Sequence, residues 1–173
     1  LPVNRETVSS IAVIGPNAAR IVFGGYSGQA SAPVTPLSGI QTAVEGYDID
    51  VSYAEGSGLS EASSVSDFLE AEDLAASSDI AIVVVGLDLL LSNEEVDRAD
   101  IVLPPIQEEL VKTVREANPN TVLVLVTGNP LAINWAHENV SAIINAGYGG
   151  QSAGQAIAEV IFGDYNPAGR LPQ

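Results

Sequence analysis

The sequence predicts an α/β domain, open and doubly wound, with a mainly parallel sheet and helices on both faces. Three observations carry this. Apolar runs of strand length recur along the chain and several are continuous, as strands buried on both faces must be. Stretches with helical spacing separate them, and that alternation calls for a parallel sheet. At 173 residues the chain has the size of one domain, able to bury roughly 70% of the surface its unfolded form exposes.

The first strand is the short apolar run 11–15, stopped by Gly15-Pro16. A short helix over 37–44 follows, then a strand over 48–54 that alternates apolar and polar residues. The stretch 61–77 places Val65, Phe68, Leu69 and Leu74 on one helical face. Runs 80–87, 121–127 and 141–146 are apolar and of buried-strand length. Between them, 104–117 opens with proline and groups Ile106, Leu110, Val111 and Val114, while 130–137 is a short amphipathic helix. The last helix, 151–162, groups Ile157, Val160 and Ile161. No linker or repeat divides the chain, so 1–173 is expected to be a single domain.

Composition removes several function classes. Six bases against 22 acids give a net charge of −16 and a pI near 4.1, a surface that repels phosphate backbones and anionic lipid heads. Neither nucleic acid nor membrane is expected as a partner. With no cysteine there is neither a disulfide framework nor a thiol nucleophile, and one histidine, His137, cannot make a metal site alone. The acidic balance suits secretion, extracellular or periplasmic, or a salty environment, and composition does not choose between them. A chain without methionine reads as cut from something longer.

In a sheet of this kind ligands lie at the carboxyl ends of the strands. Two loops there exceed the usual about 2–6 residues. The first contains Gly24-Gly25-Tyr26-Ser27-Gly28; the second runs from Asp88 to Leu103. No G-x-G-x-x-G follows a strand and no phosphate-binding G-x-x-x-x-G-K-[ST] exists, so the glycines read first as tight turns, and a nucleotide site is a weak rival. Ser27 lacks the nucleophile-elbow context. Trp135 reads as core or interface before it reads as a sugar platform. The second loop holds Asp88, Glu94, Glu95, Asp97 and Asp100 with a single arginine, Arg98, beside the apolar Leu89 to Leu91. It reads either as an ordinary solvated acidic loop or as a setting that raises one carboxyl's pKa by like charge and desolvation, as a general acid requires.

The pieces then fit a known pattern. Ile11-Ala12-Val13-Ile14-Gly15-Pro16-Asn17-Ala18, the glycine loop with Thr35-Pro36-Leu37, and Ser92-Asn93-Glu94-Glu95-Val96-Asp97-Arg98 followed by Leu103-Pro104 and Gln107 occur in order. Asn118-Pro119-Asn120-Thr121-Val122 and the tail Gly163-Asp164-Tyr165-Asn166-Pro167-Ala168-Gly169-Arg170-Leu171-Pro172 complete them. From end to end the chain resembles the C-terminal α/β sandwich domain, flavodoxin-like in its expected fold, of glycoside hydrolase family 3. The acidic loop is similar to that family's S-G-E-G-x-D-R and E-x-E-x-x-D-R loops. Gly86-Leu87-Asp88 and Ala146-Gly147-Tyr148 lean toward the β-xylosidase branch over the β-glucosidases.

The resemblance implies a retaining exo-β-glycosidase acting on terminal β-linked xylose or glucose, with no metal and no cofactor. By position it implies Glu94 as the general acid/base, Asp97 and Arg98 as anchors of the loop, and Tyr26 as a wall of the substrate site. Glu95 stands where the family commonly has glycine, and Gly149 where it has proline. The nucleophilic aspartate would belong to a preceding (β/α)8 barrel, the expected partner, for which this chain has no room. The alternative is a non-catalytic module that binds sugar or a partner domain.

Overall fold

The computed structural model describes residues 1–60 and 65–169. Strands and helices alternate along the chain. They are β1 (Ser10–Ile14), α1 (Pro36–Ala43), β2 (Asp50–Ala54), α2 (Val65–Ala76), β3 (Ile80–Gly86), α3 (Pro105–Ala117), β4 (Thr121–Val126), α4 (Asn134–Asn139), β5 (Ala142–Asn145) and α5 (Ala153–Phe162). The five strands make one all-parallel sheet in the order β2-β1-β3-β4-β5. That is the flavodoxin-like order of a doubly wound fold. Each strand expected from the sequence is present, its ends within two residues of the expected ones. The beginning of the helix expected over 61–77, and the end of the tail pattern from residue 170, lie outside the described residues.

The continuous apolar runs have the anticipated cause. β3 and β4 lie in the interior of the sheet and are buried along their whole length. Alternate residues feed two cores. Ile11, Val13, Ile82, Val84 and Val124 face α1 and α5, where Ile40, Ile157 and Ile161 meet them. Ile14, Val83, Val85, Leu123 and Leu125 face the other way, toward Ala71 of α2, Leu110 and Val114 of α3 and Ala136 of α4. Trp135 packs half-buried against this second core, as expected, and His137 is exposed on α4.

The first helix starts on a capped turn. Thr35 caps it, Oγ1 accepting from the Ser38 N–H at 3.1 Å, with Pro36 as its first residue. One helix differs. Over 130–137 the proline and apolar spacing imitate a first turn, but the helix begins only at Asn134. The Ala132 N–H instead donates to the Ile101 carbonyl at 2.7 Å, and Ala132 bridges Val102 in extended form. A long-range pairing has captured the segment that local pattern assigned to the helix.

Gln107 joins the sheet to α3. The side chain is fully buried. Its Oε1 accepts from the Gly86 N–H at 2.7 Å, while Nε2 donates to the carbonyls of Gly86 (2.8 Å) and Leu59 (2.6 Å). Gln107→Leu keeps the volume but strands these backbone groups away from water. It is expected to cost about 2–3 kcal/mol. The check is a lowered urea midpoint with an unchanged slope; a loss near zero would mean that water replaces the amide.

The N-terminal segment is tied down as well. Val3 N–H donates to the Ile161 carbonyl at 2.8 Å. Arg5 pairs with both carboxylate oxygens of Asp164, donates from Nε to the Ala43 carbonyl at 2.9 Å, and lies 4.3 Å over the Phe162 ring. Its hydrogen bonds hold the Asp164 carboxyl below the usual range.

Candidate functional site

The strand order reverses between β1 and β3, whose following helices α1 and α3 lie on opposite faces. The loops leaving these strands, 15–35 and 87–104, therefore bound the crevice where doubly wound folds take ligands. β3 can end there because Gly86 has φ +150 and a Cβ on it would stand 2.0 Å from the Val126 carbonyl oxygen.

The acidic loop is built in steps. Asp88 Oδ1 accepts from the N–H groups of Leu90 (2.9 Å) and Leu91 (3.2 Å), and its carbonyl accepts from Ser92 N–H at 3.0 Å, closing one tight turn. Ser92 is buried, and Asn129 Nδ2, from the loop after β4, donates to its Oγ. Asn93 and Val96 then exchange both backbone hydrogen bonds, at 3.3 and 3.0 Å, leaving Glu94 and Glu95 as the tip of a two-residue turn. In this turn the second tip residue is left-handed: Glu95, at φ 63, is the only non-glycine residue in that region among the described residues. This accounts physically for the glycine common at that position in the resembling family. Glu95→Gly is expected to raise stability by about 0.5–1 kcal/mol, the strain relieved outweighing the entropy added to the unfolded chain. Thermal unfolding of the pair of proteins reads it.

The glycine loop meets this turn. Ser27 N–H donates to the Gly24 carbonyl at 3.0 Å, so Gly25 and Tyr26 form the tip of a second turn. Gly25 lies against Asn93, where a Cβ would come within 2.7 Å of Oδ1. The Tyr26 hydroxyl donates to Oε2 of Glu94. Two residues 68 apart in sequence thus touch above the sheet, Tyr26 with 90% of its surface open.

Arg98 holds the far end of the loop. Its guanidinium donates to the Val102 carbonyl at 2.5 Å and to Asp100 Oδ1 at 3.3 Å, and the same oxygen accepts from Val102 N–H at 3.2 Å. One guanidinium nitrogen, Nη1, is buried with no partner among the described residues. Asp97 is exposed and joins none of these contacts; the acid paired with Arg98 is Asp100.

Three contacts were not foreseen from sequence: Asn129 on Ser92, Tyr148 on Gly128, and Gln151 on Ser31. Their only signal was position at the carboxyl ends of β4 and β5. The Tyr148 ring stacks on Gly128, where a Cβ would stand 2.8 Å from it. Burial pushes the Tyr148 phenol above its ordinary pKa, while a backbone hydrogen bond from Gly128 pulls the other way. Among the described residues no group of three or more His, Cys, Asp or Glu side chains could hold a metal ion, and no helix is long and apolar enough to cross a membrane.

Comparison with known proteins places this arrangement. The family model described as the glycosyl hydrolase family 3 C-terminal domain matches residues 1–173. A β-xylosidase of Formosa agariphila is 38% identical over 99% of this chain and 24% of its own length. A probable β-D-xylosidase 7 of Arabidopsis thaliana is 40% identical over 99% of this chain and 22% of its own. A solved structure of a GH3 exo-β-xylosidase, XlnD, in complex with a xylobiose aziridine activity-based probe superposes with a TM-score of 0.89 at 35% identity, covering 99% of this chain and 22% of that one. The chain therefore spans about a quarter of the length of the curated relatives it matches, and it belongs to glycosyl hydrolase family 3, as a C-terminal domain of that family.

Proposed function

We propose that this domain supplies the general acid/base to an exo-acting retaining β-glycosidase that releases terminal β-linked xylose or glucose. The observation that carries the reading is Glu94 itself: a carboxylate set at the tip of a braced turn, at the carboxyl edge of the sheet, touched by Tyr26. In the first step the protonated Glu94 carboxyl gives its proton to the glycosidic oxygen as the C–O bond breaks. A nucleophilic carboxylate on the other face forms the glycosyl-enzyme. In the second step Glu94, now ionised, takes a proton from water as water displaces that carboxylate. Arg98 fixes the loop. Asp97, exposed beside it, is assigned the support of the loop in the assembled enzyme, and Tyr26 borders the leaving-group side.

The nucleophile is assigned to a preceding (β/α)8 barrel in the same enzyme. Glu94, Tyr26 and Leu90 are all exposed, and a barrel seated over them would supply the desolvation a general acid requires. Xylosides are the favoured substrates, since the relatives named above are β-xylosidases. The experiment is a comparison of turnover. The 173-residue chain alone is expected to hydrolyse no aryl β-xyloside above background, because it lacks the carboxylate that forms the covalent intermediate. The parent enzyme containing it is expected to be active. Robust turnover by the purified chain, with contaminating hydrolase excluded, overturns the shared-site reading; an inactive parent favours the non-catalytic module.

A further inference from the structure

One short segment between β4 and α4, residues 129–132, grips the acidic loop at two points, and we propose that Asn129 in it is a positioning residue that aims the Glu94 carboxyl. The proposal rests on the reading of Glu94 as acid/base and adds what sets its direction.

Burial shows why the loop needs such a hold. From residue 88 to residue 102 only Ser92 is buried, and 93–97, which carry the turn with Glu94 at its tip, are all exposed. Apolar packing does not fix the tip, so directional hydrogen bonds must. Ser92 N–H closes the turn that starts at Asp88, and its Oγ accepts from Asn129 Nδ2. Next to it stands Asn93, whose backbone pairs with Val96 across the Glu94-Glu95 tip. The Asn129 contact thus ties the base of the turn to the end of β4.

Asn129 is itself held. Thr127 follows β4 directly and is buried. Its hydroxyl donates to the Asn129 carbonyl at 2.8 Å and accepts from the Asn129 N–H at 3.0 Å, so Asn129 cannot turn without breaking both bonds. The Tyr148 ring lies against Gly128 between them. At the other end of the segment, Ala132 N–H donates to the Ile101 carbonyl at 2.7 Å and Ala132 bridges Val102. The two holds, at 92 and at 101–102, therefore stand on either side of Glu94. Because α4 begins only at Asn134, the extended residues before it are available to make the second hold.

The chemistry makes the hold matter. A general acid must come within about 2.6–3.2 Å of the oxygen it protonates, and a misplacement of about 1 Å can cost about 100-fold. Without Asn129 the base of the turn loses its tie to β4 and the Glu94 carboxyl loses its fixed aim. The nucleophile, assigned to the other domain, keeps its own.

The test uses the parent enzyme and kcat/KM, which reports the first, glycosylating step. Asn129→Ala is expected to lower kcat/KM for xylobiose, whose leaving group needs a proton, about 10–100-fold. It should leave kcat/KM for dinitrophenyl β-xyloside, whose leaving group needs none, within about twofold. A loss of folded enzyme would lower both equally. Ser92→Ala, a smaller change, removes the other partner of the same bond and should give the same pattern, with the double variant no worse than either single one. In a Glu94→Ala background Asn129→Ala should add nothing, because it acts only through that carboxyl. Equal losses on both substrates, near-normal rates in both single variants, or full additivity with Glu94→Ala overturns the positioning role. Where Glu94→Ala itself loses xylobiose selectively, those results leave the acid/base reading standing; where it does not, both readings fall.

Discussion

Glu94→Ala in the parent enzyme is expected to lower turnover of β-xylosides with poor leaving groups by about 10²–10⁴-fold, the usual worth of general acid catalysis. Glycosides with acidic, activated leaving groups need no proton and should still form the glycosyl-enzyme, so that the second step becomes limiting. Azide, which attacks without a general base, should then restore turnover and release a β-glycosyl azide. Glu95 provides the control. It shares the tip of the turn with Glu94, but its left-handed backbone sets it apart and the Tyr26 hydroxyl donates to Glu94. Glu95→Ala should therefore cost far less and show no rescue. Rescue of Glu95→Ala alone would move the acid/base by one residue. Two variants with near-normal rates and no rescue would return the loop to a solvated acidic surface. Asp97→Ala tests the support assigned to Asp97. Because that residue has no partner among the described residues, a large loss would place its contact on the other domain.

The fold was legible because its signal is redundant. A strand such as Ile80–Gly86, buried on both faces, has no polar residue to mislead a reader. An amphipathic helix such as Pro105–Ala117 announces its buried face through Leu110, Val111 and Val114. What local pattern could not show were choices made by distant partners. Ala132 was read as helical and is extended because Ile101 and Val102 pair with it. The site was legible in its parts and not in its assembly. The acids and the glycines could be picked out by loop length and composition, but nothing in either loop says that Tyr26 reaches Glu94 or that Gly25 makes room for Asn93. The pairing of Arg98 with Asp100 rather than Asp97 is of the same kind, decided by where the Val102 backbone lies. Glu95 is the instructive case. The sequence shows only that it departs from a common glycine; the backbone, left-handed at that residue, shows that the departure bears on turn geometry.

Gly154→Ala is expected to destabilise the domain by about 3 kcal/mol or more, a large share of the about 5–15 kcal/mol that holds a domain of this kind together. The reason is a backbone-to-backbone crossing of α1 and α5. A Cβ on Gly154 would stand 2.0 Å from the Thr35 carbonyl oxygen and 2.6 Å from that of Val34. A Cβ on Gly39 would meet the Gly154 carbonyl oxygen at 2.2 Å, so the crowding is reciprocal. Neither clash falls on a side chain that could rotate away; relief requires the helices to part. Parting them would break the hydrogen bond from Gly154 N–H to the Val34 carbonyl (3.0 Å) and its neighbour from Val34 N–H to Gln151 (2.8 Å). It would also open the core where Ile40 meets Ile157 and Ile161. Gly28→Ala is the matched control, since open space surrounds that position and its φ is ordinary; it should stay within about 0.5 kcal/mol of the unaltered chain. Urea unfolding of the three proteins decides. A Gly154→Ala midpoint equal to the control's would mean that the helices yield at little cost, and the crossing would then not be what fixes the glycine loop against the loop from β5 to α5.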